Sequence, residues 1–278
     1  MKNKFILILA AILIVSAAAF AQTEPPLDGV YKKDVVSTAR VTPYASLREA
    51  DAMWAKRVWR VIDLREKQNL VMTYPRNKLI DVIMDAVLAG ELTAYSAVST
   101  GPKDFGDEFK VPLTPEEVAM IGARNDTLDV EQLDGTVVQE VYATQLNRDD
   151  VVAYRVKEDW IFDRQRSIFE PRILGIAPII ILRNTAGEEI DRSPLFWIYF
   201  PEARSVFANA EIFNRQNDAA RFSYDDFFVQ RMFSSYVIKW SNDKDFRIQD
   251  YATGMDALIE ANRIKQELFQ FEHDLWEY

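Results

Sequence analysis

The sequence has no cysteine and a single histidine, His273. Without thiols there is no disulfide framework, no thiolate nucleophile and no soft-metal cluster. One imidazole near the end of the sequence is poorly placed for a Ser-His-Asp relay, and the His-Glu-x-x-His zinc helix is missing. Neither a Gly-x-x-x-x-Gly-Lys-Ser/Thr phosphate loop nor a dinucleotide fingerprint occurs. Positive charge is also scarce: 33 lysines and arginines face 43 acidic residues, a formal net charge of −10. Such a chain repels phosphate backbones unless a local basic patch wins, which argues against nucleic-acid binding.

The one long apolar run, Phe5 to Val15, is too short for a permanent membrane span. Lys2 and Lys4 precede it and Ala19-Phe20-Ala21 follows it, the order of a secretory leader cut before Gln22. A lipoprotein would need a cysteine just after that cut. The exported chain is therefore expected to be soluble, without a lipid anchor of its own, and associated with membranes only indirectly. Residues 22–43, with Pro25, Pro26, Gly29 and Pro43, show no sustained period and read as an extended arm. The rest, 44–278, is long enough to form a core and reads as one domain.

Ser46-Leu47-Arg48-Glu49 fits a capping box. At about 100° per residue, Leu47, Ala50, Trp54, Val58, Val61 and Ile62 share one arc, which predicts a helix with a core-facing stripe. Trp59 lies off that stripe beside Lys56 and Arg60. It suits either an interface anchor or a residue covered by a second layer of the domain. A second helix is expected over Lys78 to Ala89, capped by Asn77 and ended by Gly90, and a short strand over Thr93 to Val98. Thr114-Pro115-Glu116-Glu117 restarts a short helix.

From Thr127 the period becomes two. Tyr154, Val156, Trp160 and Phe162 alternate with Arg155, Lys157, Asp159 and Asp163, the pattern of a strand with one buried face. Arg172 to Leu182 predicts a buried strand broken at Pro178, Asn184 to Gly187 a turn, and Leu195 to Phe200 a returning strand. Ser223-Tyr224-Asp225-Asp226 caps a helix ending near Phe233, and a strand follows through Tyr236, Ile238 and Trp240. The composite is an α+β fold, an antiparallel sheet region flanked by helices.

Acids are the only plentiful catalytic material. Glu158, Asp159 and Asp163 are first candidates for a carboxylate pair cleaving glycan or peptidoglycan. Their neighbours Arg155, Lys157, Arg164 and Arg166 also suit cross-strand ion pairs on a solvated face. The oxygen-rich stretch from Asn125-Asp126 to Asp134-Gly135 lacks EF-hand spacing, and a turn at Asp134-Gly135 accounts for it. The last helix, Met255 to Glu277, carries two apolar stripes: Met255, Leu258, Ile259, Phe269 and Trp276 on one side, and Ile264, Leu268, Phe271 and Leu275 nearly opposite. The second has the spacing of a helix-pairing seam and is the expected partner face, unless both stripes are buried within the domain.

The block from Glu49 to Lys67, EADAMWAKRVWRVIDLREK, closely resembles the GldN/PorN family of gliding-motility and type IX secretion proteins. Tyr154 to Asp163, Arg172 to Pro178 and Trp197 to Glu202 resemble three further blocks of that family. The resemblance implies a non-enzymatic periplasmic ring subunit with neighbouring copies of itself. Its implied partners are an outer-membrane lipoprotein of the GldK/PorK kind and the GldL and GldM/PorM motor proteins. It supplies no catalytic, metal or cofactor residue.

The leader is testable directly. Intact-mass analysis of the exported protein is expected to give a chain beginning at Gln22 with no lipid attached; a retained Met1 segment or a lipid adduct would refute that assignment.

Overall fold

Trp54, Val58 and Ile62 are spaced by four residues, which is about one helical turn and also two strand repeats. The computed structural model, which describes residues 30, 36, 38–99, 106–121, 124–131, 137–144, 147–183 and 189–275, shows the strand. The leader, most of the 22–43 arm, the turns at Asp134-Gly135 and Asn184 to Gly187, and Trp276 lie outside those residues. The chain divides into two units, Met1–Asp34 and Val35–Tyr278, and every element below belongs to the second.

Strand β1 (Ala52–Asp63) replaces the expected first helix. Only a short 3-10 turn, Glu49–Asp51, precedes it, and the turn has no side-chain cap. The reason is that β1 is buried on both faces from Val58 to Asp63, so no clean alternation survives there in the sequence. Val58 and Ile62 pack on one face, Trp59 and Val61 on the other. β-Branched and aromatic residues suit this double burial, and pairing on both edges overrides helical periodicity.

Helix α1 (Leu79–Leu88) forms as expected and stops where Gly90 adopts a φ of 75°. Asn77 does not cap it; its amide donates instead to the Glu211 carbonyl. β2 (Ala94–Ser96), β3 (Pro112–Leu113) and α2 (Pro115–Met120) follow, α2 opening on the predicted Thr114/Glu117 capping box. β4 (Arg124–Glu131) and β5 (Val137–Thr144) pair as a separate two-stranded ribbon.

The spine is the hairpin of β6 (Val151–Asp163) and β7 (Ile168–Arg183), in register from Val151 opposite Ile180 to Asp163 opposite Ile168. Pro178 does not break β7. It lies where β7 changes partner, between the pairing of Gly175 and Ile176 with β9 (Phe196–Tyr199) and that of Ile179 onward with β8 (Glu189–Pro194). A residue without an amide proton is tolerated at such a junction.

Phe200, expected to end a strand, opens helix α3 (Phe200–Asn209), with Pro201 in its first turn. β10 (Glu211–Ile212) and β11 (Phe222–Ser223) form a small ribbon before α4 (Tyr224–Val229), which has the predicted Ser223 cap. β12 (Tyr236–Trp240) and α5 (Met255–Asp274) complete the fold. The main sheet runs β12-β1-β6-β7-β9-β2-β3, with β8 also on β7, and its pairings are antiparallel. Helices α1, α3 and α4 cover one half of one sheet face with a phenylalanine-rich core. α5 covers the other half of the same face, where Phe169, Trp54 and Phe271 stack. This is the α+β class, with helices segregated to one side.

The structure reverses the two stripes of α5. Ile264 and Leu268 are 0% and 3% exposed, and Phe271 and Leu275 pack against the same cluster. The seam spacing therefore reports docking on the chain's own sheet, and these four residues are not a partner surface. Leu268→Ala is expected to cost roughly 2–5 kcal/mol of stability by urea denaturation, as a buried leucine deletion does. Phe269→Ser, on the exposed stripe, should shift stability by no more than about 0.5 kcal/mol. Equal midpoints for the two variants would contradict the docking.

Candidate interaction surface

Trp59, read beside Lys56 and Arg60 as either an interface anchor or a residue covered by a second layer, is buried by β1 together with Arg60, while Lys56 is half-buried. Trp59 is 8% exposed, and its Nε1 donates to Asp107 Oδ2 at 2.5 Å. Lys239 Nζ stands 4.5 Å and Lys157 Nζ 5.9 Å from the indole. Lys157 Nζ also donates to the Asp107 carbonyl at 2.5 Å, and burial holds its ammonium below the ordinary lysine range. Segment 106–110 is seated on this face by close approach. A Cβ on Gly175 would lie 2.5 Å from the Phe109 ring, and one on Gly106 would lie 2.2 Å from the Ala97 carbonyl oxygen. Trp59 is thus a core residue covered by this segment. Lys56 reaches across to place Nζ 3.5 Å from the centre of the Trp240 ring.

Arg60 is 6% exposed on the opposite, helix-covered face. It meets Glu158, which is fully buried, with Nε 3.2 Å from Oε1, an ion pair without hydrogen-bond alignment. Arg231 Nη1 donates to Glu158 Oε2 at 2.8 Å, and Trp160 Nε1 to Oε1 at 2.8 Å. Burial pulls the Arg60 guanidinium below its ordinary value, opposed by the Glu158 charge and reinforced by Arg231. Arg231 follows α4 with φ of 54°, a left-handed position usually taken by glycine, and that conformation lets its side chain reach the carboxylate.

The three candidate acids do not converge on a reaction centre. Asp159 is held across the ladder by Arg57, with Nε to Oδ1 at 2.7 Å. Asp163 accepts from Arg166 Nε at 2.7 Å and from the Gln165 amide at 2.8 Å, and these bonds, Arg166 foremost, hold its carboxyl below the usual range. A general acid needs the opposite shift and access to substrate. The acids are ion-paired, but only Asp163–Arg166 uses an expected neighbour, and that pair is local. Asp159 takes Arg57, and Glu158 takes Arg60 and Arg231. The face is not solvated, because Lys157 and Glu158 are both buried. Among the described residues, no group of three or more potential metal ligands is assembled, and no helix is long and apolar enough to cross a membrane.

Among the described residues, the outer stripe of α5 and a cleft on the sheet stand out as open surfaces. The outer stripe of α5 exposes Met255 (70%), Leu258 (56%), Ile259 (61%) and Phe269 (67%). On the sheet face away from the helices, a cleft of about 720 Å³ runs from β8 to the first turns of α5. The α5 stripe is visible in the sequence, whereas the cleft is not, because it draws Arg155, Arg192 and Arg247 from three distant segments.

The family model described as Gliding motility associated protein GldN matches residues 47–277, the span that holds every strand and helix above. The chain belongs to the GldN family. No curated protein matches it. GldN proteins are structural gliding-motility components rather than a known enzyme family, which agrees with an interior whose candidate acids are held in ion pairs.

Glu158→Gln is expected to destabilise the protein by about 3–5 kcal/mol in urea denaturation, because it strands two arginines against a neutral side chain. Asp159→Asn, whose Arg57 partner is 41% exposed at the side chain, should cost less than about 1 kcal/mol. A Glu158→Gln loss no larger than that of Asp159→Asn would show the buried cluster to be dispensable to the fold.

Proposed function

We propose that this GldN protein is a non-enzymatic structural subunit of the type IX secretion and gliding machinery. In this reading it resides in the periplasm, held at the inner face of the outer membrane by a lipoprotein of the GldK/PorK kind. It forms a ring with copies of itself and is coupled to the GldL and GldM/PorM motor proteins. The observation that carries the proposal is the family match across 47–277. The leader pattern from Lys2 to Ala21 supports export, and the lack of cysteine supports dependence on a partner for membrane attachment. The exposed Met255, Leu258 and Ile259 at the start of α5 support assembly, since clustered exposed apolar surface marks interaction sites.

A carboxylate hydrolase is disfavoured by the geometry of Glu158, Asp159 and Asp163. Co-expression with the lipoprotein partner and size-exclusion chromatography is the test. The proposal expects one large complex of fixed stoichiometry. Separate elution of the two proteins, together with cleavage of peptidoglycan by this chain alone, would overturn it.

A further inference from the structure

Three arginines meet in the cleft of a protein whose formal net charge is −10. Arg155 enters from β6, Arg192 from β8 and Arg247 from the segment after β12; among the described residues, Glu189 is the carboxylate that lines the cleft with them. Nearby, Arg65 and Asp63 satisfy one another through a fork, with Nη2 to Oδ2 at 2.6 Å, so Asp63 is already engaged. Between the arginines the floor is apolar: Val61, Ala153 and Ile179 are buried, with Ile238 packed beside them. The cleft wraps the outermost strand, β12, taking Tyr236 and Ile238 from one face and Val237 from the other. Its far lip is Leu258, 56% exposed, which continues into the open α5 stripe at Met255 and Ile259.

This distribution selects among ligands. A small anion is held where guanidiniums converge on one point, whereas these line a cleft that reaches from β8 to the first turns of α5 over an apolar floor. A volume near 720 Å³ falls in the range of specific binding clefts. Arginine forks recognise carboxylates through paired hydrogen bonds. A side-chain spacing of two along a strand would send alternate residues toward the floor and toward the arginines. We propose that this cleft binds an extended segment of a partner protein in which acidic and β-branched apolar residues alternate, seated beside β12. The proposal deepens the assembly reading, since it assigns a surface and a partner chemistry to a subunit already taken to work by docking.

The test is fluorescence anisotropy of the purified protein with a fluorescein-labelled decapeptide of alternating Glu and Val. A Lys/Val peptide, a Glu/Ser peptide and vesicles of anionic phospholipid serve as comparisons. The Glu/Val peptide is expected to bind at least about tenfold more tightly than either other peptide, and more weakly as salt rises. It should protect residues 236–240 and 247–258 from hydrogen exchange. Arg155→Gln/Arg192→Gln/Arg247→Gln should lose about tenfold or more in affinity. Because Arg155 and Arg192 also contact the fold, the variant pair Arg247→Glu/Leu258→Ser at the cleft mouth, which leaves both in place, repeats the test and should lose a similar factor. Equal binding of acidic and basic peptides, affinity unchanged in the mouth variant, or arginine-dependent binding to vesicles in place of peptide would overturn the proposal. Co-elution of the mouth variant with the lipoprotein partner separates the two readings: a retained complex with no peptide binding refutes the cleft and leaves the ring role standing.

Discussion

A single carboxylate with no exposure to solvent fixes how the two layers of this protein meet. Glu158 stands at an irregularity in the β6–β7 ladder and is held by Arg60 from β1, Trp160 from its own strand and Arg231 from the end of α4. The sheet and the helical layer therefore share one charge cluster. A buried ionic pair gains little over well-packed apolar residues, but removing one partner leaves an uncompensated charge, so such a cluster tolerates few alternative arrangements. It specifies where β1, β6 and the α4 end must lie. The phenylalanine core of Phe200, Phe207, Phe227 and Phe228 then fills the space that this arrangement leaves.

A second pairing, on the helix-facing side, ties the chain's early residues to the same frame. Arg204 and Asp225 form a buried two-pronged bond linking α3 to α4, with Nε to Oδ1 at 2.8 Å and Nη2 to Oδ2 at 2.9 Å. The Tyr44 ring lies over this arginine, 4.4 Å from Cζ, while Arg172 on β7 donates to the Ala45 carbonyl at 2.9 Å. Residues 44 and 45 are thus anchored to both layers before β1 begins. The polar groups that suggest catalysis in the linear sequence are largely consumed by such structural bonds. Among the described residues, the outer stripe of α5 and the arginine-lined cleft stay available to other molecules.

Sequence patterns located the elements that are buried on one side or capped locally. The β6 strand, the Thr114 and Ser223 caps and the α1 span all appear in the fold, although β6 does not keep one buried face, since Lys157, Glu158 and Asp163 are buried too. The failures share a physical origin in contacts distant along the chain. β1 lost its period because both its faces are buried, and a four-residue spacing cannot distinguish a helical turn from two strand repeats. Trp59 became interior because segment 106–110 lies across it, which no property of residues 52–63 announces. On α5 both stripes were visible, but only the position of the sheet decides which one docks. The residues lining the cleft sit far apart in sequence and meet only through the β6–β7–β8 and β1–β12 pairings.

The central claim is that the Glu158 cluster is a structural joint with no chemical role and that the protein works through its surfaces. The most direct measurement replaces the cluster with apolar side chains, Arg60→Leu, Glu158→Met and Arg231→Leu together, and follows folding and function in cells by thermal unfolding and by gliding or protein secretion. The account predicts a folded triple variant that still enters its complex and supports function, because an apolar cluster of similar volume can replace a buried ionic one. A variant that folds and assembles normally yet abolishes function would contradict it, since Glu158 would then have a chemical role that the frame does not explain.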